Sequence, residues 1–432
     1  MNERQRRAPR RRAWAWACAW AIAAASLHPA AAQAQTPTIR IGYLEAMSGP
    51  FASAGTTALK HFQMVIDDIN QRGLAGPYRI ELKVYDNKGT PQESLSMFKA
   101  ATDAGLQVLT NSQSATLLAL MDAIGKHNAR HPEQRVMMLN PSGGDPALTN
   151  ANCSFFHFAF DANVEMKMEG LTTMIQADPS IKKVYLINQN YSQGMQVSQT
   201  AKEYLARKRP DIAIVGDDLH PLIQVKDFSP YVAKIKASGA DTVITGSWGT
   251  DLTLLIRAAK EGGLKTKFYT FYAGALGAPV AMGDSAVGAV RQITEWHRNL
   301  VPNNAAKWAD DYARRFDADF YALRINNMMY MFAEAVRRAN SDDPLRISYA
   351  LEGMKWTGPT GDLEMRGSDH QIQQPLYIST VRHIASRGGP KDVVHDSDKS
   401  GYGFSTDMRI EPYVAARPTT CRMERPPRPA AP

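Results

Sequence analysis

The sequence predicts an α/β fold of two doubly wound parallel-sheet lobes, and three observations carry that expectation. Apolar segments with strand periodicity alternate with segments of helical periodicity along most of the chain. The 432 residues exceed what a single hydrophobic core usually serves. The alternation also restarts after Cys153, so there are two sets of elements.

Residues 1–34 stand apart from both sets. Arg4, Arg6, Arg7, Arg10, Arg11 and Arg12 precede an apolar run over 13–27 and an Ala32-Gln33-Ala34 triplet. This is the layout of a secretory signal peptide, with cleavage expected after Ala34 and a periplasmic destination. Arg11-Arg12 leaves a twin-arginine export route open, and Cys18 would be removed with the signal. No other segment approaches the roughly 20 apolar residues that a membrane-spanning helix needs, so the mature chain is expected to be soluble. The formal charge is +8, but six arginines and one glutamate in 1–34 account for about +5 of it. A mildly basic mature chain implies no nucleic-acid or membrane-surface partner. Cys153 and Cys421 remain after cleavage, and in an oxidising compartment one disulfide between them is the simplest outcome; two free thiols are the alternative.

The first set opens with a strand at 38–45, where Ile39, Ile41 and Tyr43 alternate with other residues, and a helix follows whose Leu59, Phe62, Ile66 and Ile69 share one face up to Gly73. A strand at 78–85, a helix at 91–104 with Pro91 in its first turn, a strand at 107–110, a helix at 117–127 and a strand at 135–139 complete it. In the second set helices at 164–176, 192–208, 228–237 and 251–261 alternate with strands at 183–187, 212–217, 242–245 and 268–272. Beyond Gly288 the pattern gives a strand at 290–295, helices at 305–316 and 322–340, and a short helix before Gly353. Segments 356–365 and 374–381 read as a hairpin, and the Gly, Asp, Ser and Pro content after Arg387 reads as loop or tail.

Four segments together resemble the periplasmic solute-binding proteins of ABC transporters, of the leucine/isoleucine/valine-binding type. They are IRIGYLEAMSGPFASAG with the helix ending VIDDINQRG, LNPSGGDPALT from Leu139, VYLINQNYSQG from Val184, and TGPTGDLEMR from Thr357. The resemblance implies two lobes that close on a ligand about a three-segment hinge. It places 35–157 and 288–355 in the first lobe, 158–287 and 356–400 in the second, and 401–432 in a tail. It further implies a small-molecule ligand, a membrane permease as partner, a monomer, no cofactor and no enzymatic activity. A ligand sensor serving a membrane receptor or kinase would need the same hinged module and is the alternative.

Local chemistry nominates the cleft residues. Ser112, Ser114, Ser142, Gly143 and Gly144 lie where strand ends meet helix starts, a setting that offers hydroxyls and N–H groups to a carboxylate, although N-capping and turn chemistry use the same residues. Tyr191, Trp248 and Tyr272 follow strand C-terminal ends, where doubly wound sheets bind ligands, and Tyr321 is a further candidate from the first lobe. By the resemblance, Tyr191 and Trp248 stand where the family lids its ligand. Two departures from the amino-acid binders narrow the solute. Residues Phe271-Tyr272-Ala273-Gly274 supply no acid for an ammonium group, and Ala54 replaces a tyrosine and leaves more room. An aromatic or aliphatic carboxylate is therefore expected before an amide, a urea-like compound or a branched-chain amino acid. Asp251 reads as a helix cap or dipole partner.

Other chemistries find little support. Apart from His127 and His131, four residues apart, the histidines show no paired ligand spacing, so a metal is not expected, and Ser192 lacks a recognisable His and acid partner. The Met-rich run over 326–331 has the spacing of a core-facing helix.

Overall fold

Alternation in TIRIGYLE buries Ile39, Ile41 and Tyr43 on one side and forms strand β1 (Thr38–Glu45). The computed structural model describes residues 36–430, so the expected signal peptide, its cleavage site and Cys18 lie outside the described residues. β1 is joined by β2 (Arg79–Asp86), β3 (Val108–Thr110), β4 (Met137–Asn140) and β5 (His157–Ala159) in a five-stranded sheet of order β2-β1-β3-β4-β5, parallel throughout.

The second sheet contains β6 (Lys183–Gln189), β7 (Ala213–His220), β8 (Thr242–Thr245), β9 (Lys267–Thr270) and β10 (Val290–Thr294). A small third sheet is built from β11 (Lys355–Gly358), β12 (Gly361–Met365) and β13 (Ile372–Gln373), all antiparallel. β14 (Leu376–His383) and β15 (Tyr402–Ile410) then return to the second sheet, whose order is β15-β14-β10-β9-β8-β6-β7. Successive residues on its strands point to opposite faces. Leu186, Ile244 and Tyr269 enter one core, while Ile187, Val243 and Phe268 enter the other. Helices therefore cover both faces of each sheet, and the two doubly wound lobes follow from that burial.

Three crossings join the lobes, after β5, after β10 and between β13 and β14. The first and third lie side by side: the Ala159 N–H donates to the His370 carbonyl at 2.9 Å, and Gln371 Nε2 donates to the Asp161 carbonyl at 2.7 Å. Met328, Met329 and Met331 are fully buried in the first-lobe core, as their helical spacing predicts.

The chain divides differently from the sequence reading in three places. β10 was expected in the first lobe, but it pairs with β9 and β14, because Val290 and Ile293 bury into the two second-lobe cores. The expected hairpin between 356–365 and 374–381 is instead a tight hairpin of β11 and β12, whose Leu363 and Met365 pack into the first-lobe core together with Ile372. Pro375, with no N–H to continue a ladder, separates β13 from β14. Finally, the expected tail from 401 contains β15, which pairs antiparallel with β14. After it, Cys421 forms a disulfide with Cys153, with Cα atoms 5.7 Å apart, and Thr419 donates to the Thr149 carbonyl.

Candidate functional site

Between the lobes lies a cavity of about 140 Å³, and the way helices meet it is its main physical character. Helices Ala52–Arg72, Ser114–Arg130, Ser192–Lys208, Gly249–Glu261 and Leu323–Ala339 begin there, and the residues preceding them, Phe51, Gln113, Tyr191, Trp248 and Ala322, all line the cavity. None of these five residues caps its helix with a side-chain hydrogen bond. Positive dipole ends from both lobes therefore converge on one small space, although the Arg324 N–H already donates to Glu295 Oε1 at 3.2 Å and those of Ala52 and Ala54 to backbone carbonyls. Close approach makes this possible. A Cβ on Gly55 would lie 2.1 Å from the Ala46 carbonyl oxygen, and one on Gly194 would lie 1.9 Å from that of Gln189, so only glycine lets these helices start so near the preceding strand ends.

Most of the nominated side chains meet at this cavity. Ser112, Ser114, Ser142 and Tyr321 line it from the first lobe, and Tyr191, Trp248 and Tyr272 from the second. Ala54 lines it as well. Trp248 Nε1 donates to the Tyr191 hydroxyl at 3.1 Å, and the Trp248 ring lies 6.1 Å from that of Phe51 in the opposite lobe. Ser114 Oγ donates across the cleft to Gln193 Oε1 at 2.9 Å, and Gln193 Nε2 donates to the Tyr272 hydroxyl at 3.1 Å. With these contacts formed, the lobes are shut on the cavity.

Gly143 and Gly144 are not among the lining residues. The Gly143 N–H donates to Asn140 Oδ1 at 2.6 Å, and the Gly144 N–H points to Gln193 Oε1 at 3.4 Å, so the chain itself occupies the two donors nominated for a carboxylate. Ser112 is likewise committed, donating to Glu45 Oε1 at 2.5 Å. Asp251 is fully buried outside the lining, in the first turn of helix Gly249–Glu261, and accepts from Gln189 Nε2 and the Ile223 N–H at 2.8 Å each rather than from an N–H of its own helix.

Arg324, Glu45 and Gln193 are among the lining residues that escape the sequence reading, as are Phe51 and Gln113. Arg324 opens helix Leu323–Ala339, a position where the helix dipole disfavours a cation, and this misfit was the available signal. Its Nη1 donates to Glu295 Oε1 at 3.0 Å and its Nε to Ser142 Oγ at 2.9 Å, while Asp161 Oδ2 lies 3.9 Å from Nε. Lys167 completes the cluster, with Nζ 2.7 Å from Asp161 Oδ2 and 4.6 Å from the Tyr272 ring centre. Burial works against the Arg324 charge, but Glu295 and Asp161 outweigh it and raise its pKa. Burial also opposes the Lys167 charge, which Asp161 restores. Two cations and two anions thus balance beside the hinge. Glu45 contrasts with them: burial pushes its carboxyl up to about 7, and only the Ser112 hydroxyl and N–H work the other way. Its signal was an acid at the end of a strand whose last five residues are all buried. Among the described residues, no group of three or more His, Cys, Asp or Glu is placed to hold a metal ion, and no helix is long and apolar enough to cross a membrane.

Comparison with known proteins agrees with this architecture. Residues 38–389 match the periplasmic binding protein family. The chain is 31% identical over 417 residues to Leu/Ile/Val-binding protein homolog 4 of Brucella abortus (strain 2308), covering 92% of this chain and 95% of that one. Among solved structures it is similar to the leucine-, isoleucine-, valine-, threonine-, and alanine-binding protein of Brucella ovis in its closed conformation, with TM-score 0.80, 29% identity, and coverage of 90% of this chain and 100% of that one. It shares its fold with a solute-binding protein of an ABC transporter from Rhodopseudomonas palustris BisB5 in complex with 3,4-dihydroxy benzoic acid, with TM-score 0.73, 18% identity, and coverage of 87% and 97%.

Proposed function

This chain belongs to the periplasmic binding protein family, in its leucine/isoleucine/valine-binding branch, and on that premise we propose that it captures a small organic carboxylate for an ABC importer. Members of the family bind small solutes and are not enzymes. The carrying observation is the convergence of five helix starts, none capped by its own side chain, on a cavity that also holds the Arg324 guanidinium. Such a space favours negative charge, because the dipole ends of the helices stabilise an anion there. Arg324 Nη1 and Nε are engaged by Glu295 and Ser142, which leaves the outer edge of the guanidinium for the solute.

Size limits the solute. A cavity of about 150 Å³ lined by apolar side chains accommodates benzene. The 140 Å³ space, with Phe51, Tyr191, Trp248 and Tyr272 around it, suits an acid with a single ring or a short branched chain. That a structural relative holds 3,4-dihydroxy benzoic acid supports an aromatic acid. Residues 1–34 would direct export, with cleavage after Ala34, and the closed form of the monomeric mature protein would be presented to a membrane permease.

Thermal denaturation of the mature chain against carboxylates, amides and amino acids tests this reading. Ring-sized carboxylates should raise the melting temperature in a concentration-dependent way, since a ligand that binds only the folded state stabilises it by mass action. A set of carboxylates that all leave it unchanged, while amides or amino acids raise it, would overturn the carboxylate assignment.

A further inference from the structure

One ionisable group in the cleft has no task in anion capture. Glu45 lines the cavity and is 7% exposed, and its carboxyl accepts from the Ser112 hydroxyl. The cations of the hinge cluster are already committed, Arg324 to Glu295 and Lys167 to Asp161. A buried carboxyl without a cation costs stability, and here burial holds it near the midpoint of its titration at neutral pH. Ala46, Ala54 and Gly55 also line the cavity and bring no polar side chain to it, so this wall has an acceptor and open space.

We propose that Glu45 determines the specificity of the cleft by accepting a hydrogen bond from the solute, selecting ring-sized carboxylates that carry a hydroxyl group. The inference rests on the carboxylate reading given above. A hydroxyl fits better than an ammonium for two reasons. The helix ends that favour an anion oppose a cation in the same space. A hydroxyl can also donate to the ionised form of Glu45 or accept from its protonated form, whereas an ammonium group pairs only with the ionised form. Loss of the acceptor should therefore be felt by hydroxylated acids and far less by their unsubstituted counterparts.

Calorimetric titration of the wild-type mature chain and Glu45→Leu with benzoate, the hydroxybenzoate isomers and aminomethylbenzoate is the test. The wild type should bind at least one hydroxybenzoate about tenfold or more tighter than benzoate, and that ratio should collapse toward unity in Glu45→Leu. Glu45→Gln, which keeps the shape of the side chain, should reduce the ratio and serves if the leucine variant does not fold. Benzoate binding with no hydroxyl preference, a preference that survives both substitutions, or tightest binding of aminomethylbenzoate would each overturn the role of Glu45 and leave the carboxylate reading standing. Failure of every carboxylate to bind would overturn both.

Discussion

Five helix starts at the cleft and three away from it are built differently. Helix Pro91–Asp103 is capped by Thr90, Val164–Gln176 by Asn163 and Pro344–Leu351 by Asp343, each side chain accepting from a first-turn N–H. The five helices that open onto the cavity are preceded by Phe51, Gln113, Tyr191, Trp248 and Ala322, and none caps through its side chain. The contrast has limits: helices Ser229–Ser238 and Ala306–Phe316, away from the cavity, also lack a side-chain cap, and at the cleft the Arg324 N–H donates to Glu295 Oε1. The cleft repeats the contrast among its charges, since Arg324, Lys167, Glu295 and Asp161 neutralise one another and Glu45 stands without a cation.

Breaking the balanced cluster should have the largest effect. Arg324→Met leaves Glu295 without its cation in a buried site and should lower stability by about 3–5 kcal/mol in chemical denaturation, with loss of carboxylate binding. An unchanged denaturation midpoint would mean that the cluster is not paired as described. Substituting the unpaired acid should act in the opposite direction. The folded carboxyl of Glu45 holds its proton up to about 7 against an ordinary value of 4.5, so folding binds protons in that window and wild-type stability is lost as pH rises through it. Glu45→Leu should then exceed the wild type by up to about 3 kcal/mol at about pH 8, with the part due to ionisation gone below about pH 4. A difference that does not grow with pH would show that Glu45 is paired after all.

Smaller effects sharpen the comparison. Trp248→Ala removes an aromatic wall at a ligand-facing helix start and should weaken solute binding by about tenfold while leaving the circular dichroism spectrum unchanged. Equal affinity would remove Trp248 from the site. Thr90→Ala, at a capped start away from the cavity, should cost about 1 kcal/mol of stability and leave solute affinity as it was. A change in affinity there would blur the distinction between the two kinds of helix start.

Local patterns in the sequence carry much of this architecture. Strand alternation and helical spacing locate β1 and the helix after it, and the rule that ligands gather at strand C-terminal ends brings Tyr191, Trp248 and Tyr272 to the cavity. Sheet membership is not local. β10 has the same apolar pattern whichever lobe it joins, and its pairing with β14 is decided some 80 residues downstream. β15 is hidden because an edge strand with exposed Thr406 and Asp407 in a Gly- and Ser-rich context lacks an apolar run. Arg324 and Glu45, marked only by their odd placement in their own elements, were hard to read for a related reason. Their partners Ser142 and Ser112 lie 182 and 67 residues away, so neither charge declares its environment in its own segment. The same distance effect explains Gly144, whose donor faces Gln193 from the other lobe, whereas the Gly143 donor is consumed locally by Asn140, three residues before it.

The crystal structure of the mature protein grown with a ring-sized carboxylate tests the central claim most directly. The account predicts the acid within the closed cleft, its carboxylate among the uncapped helix starts and within hydrogen-bond reach of the Arg324 guanidinium, and its ring against Tyr191 and Trp248. A carboxylate bound outside the cleft, or held inside it with Arg324 turned away and the helix starts uncontacted, would contradict it.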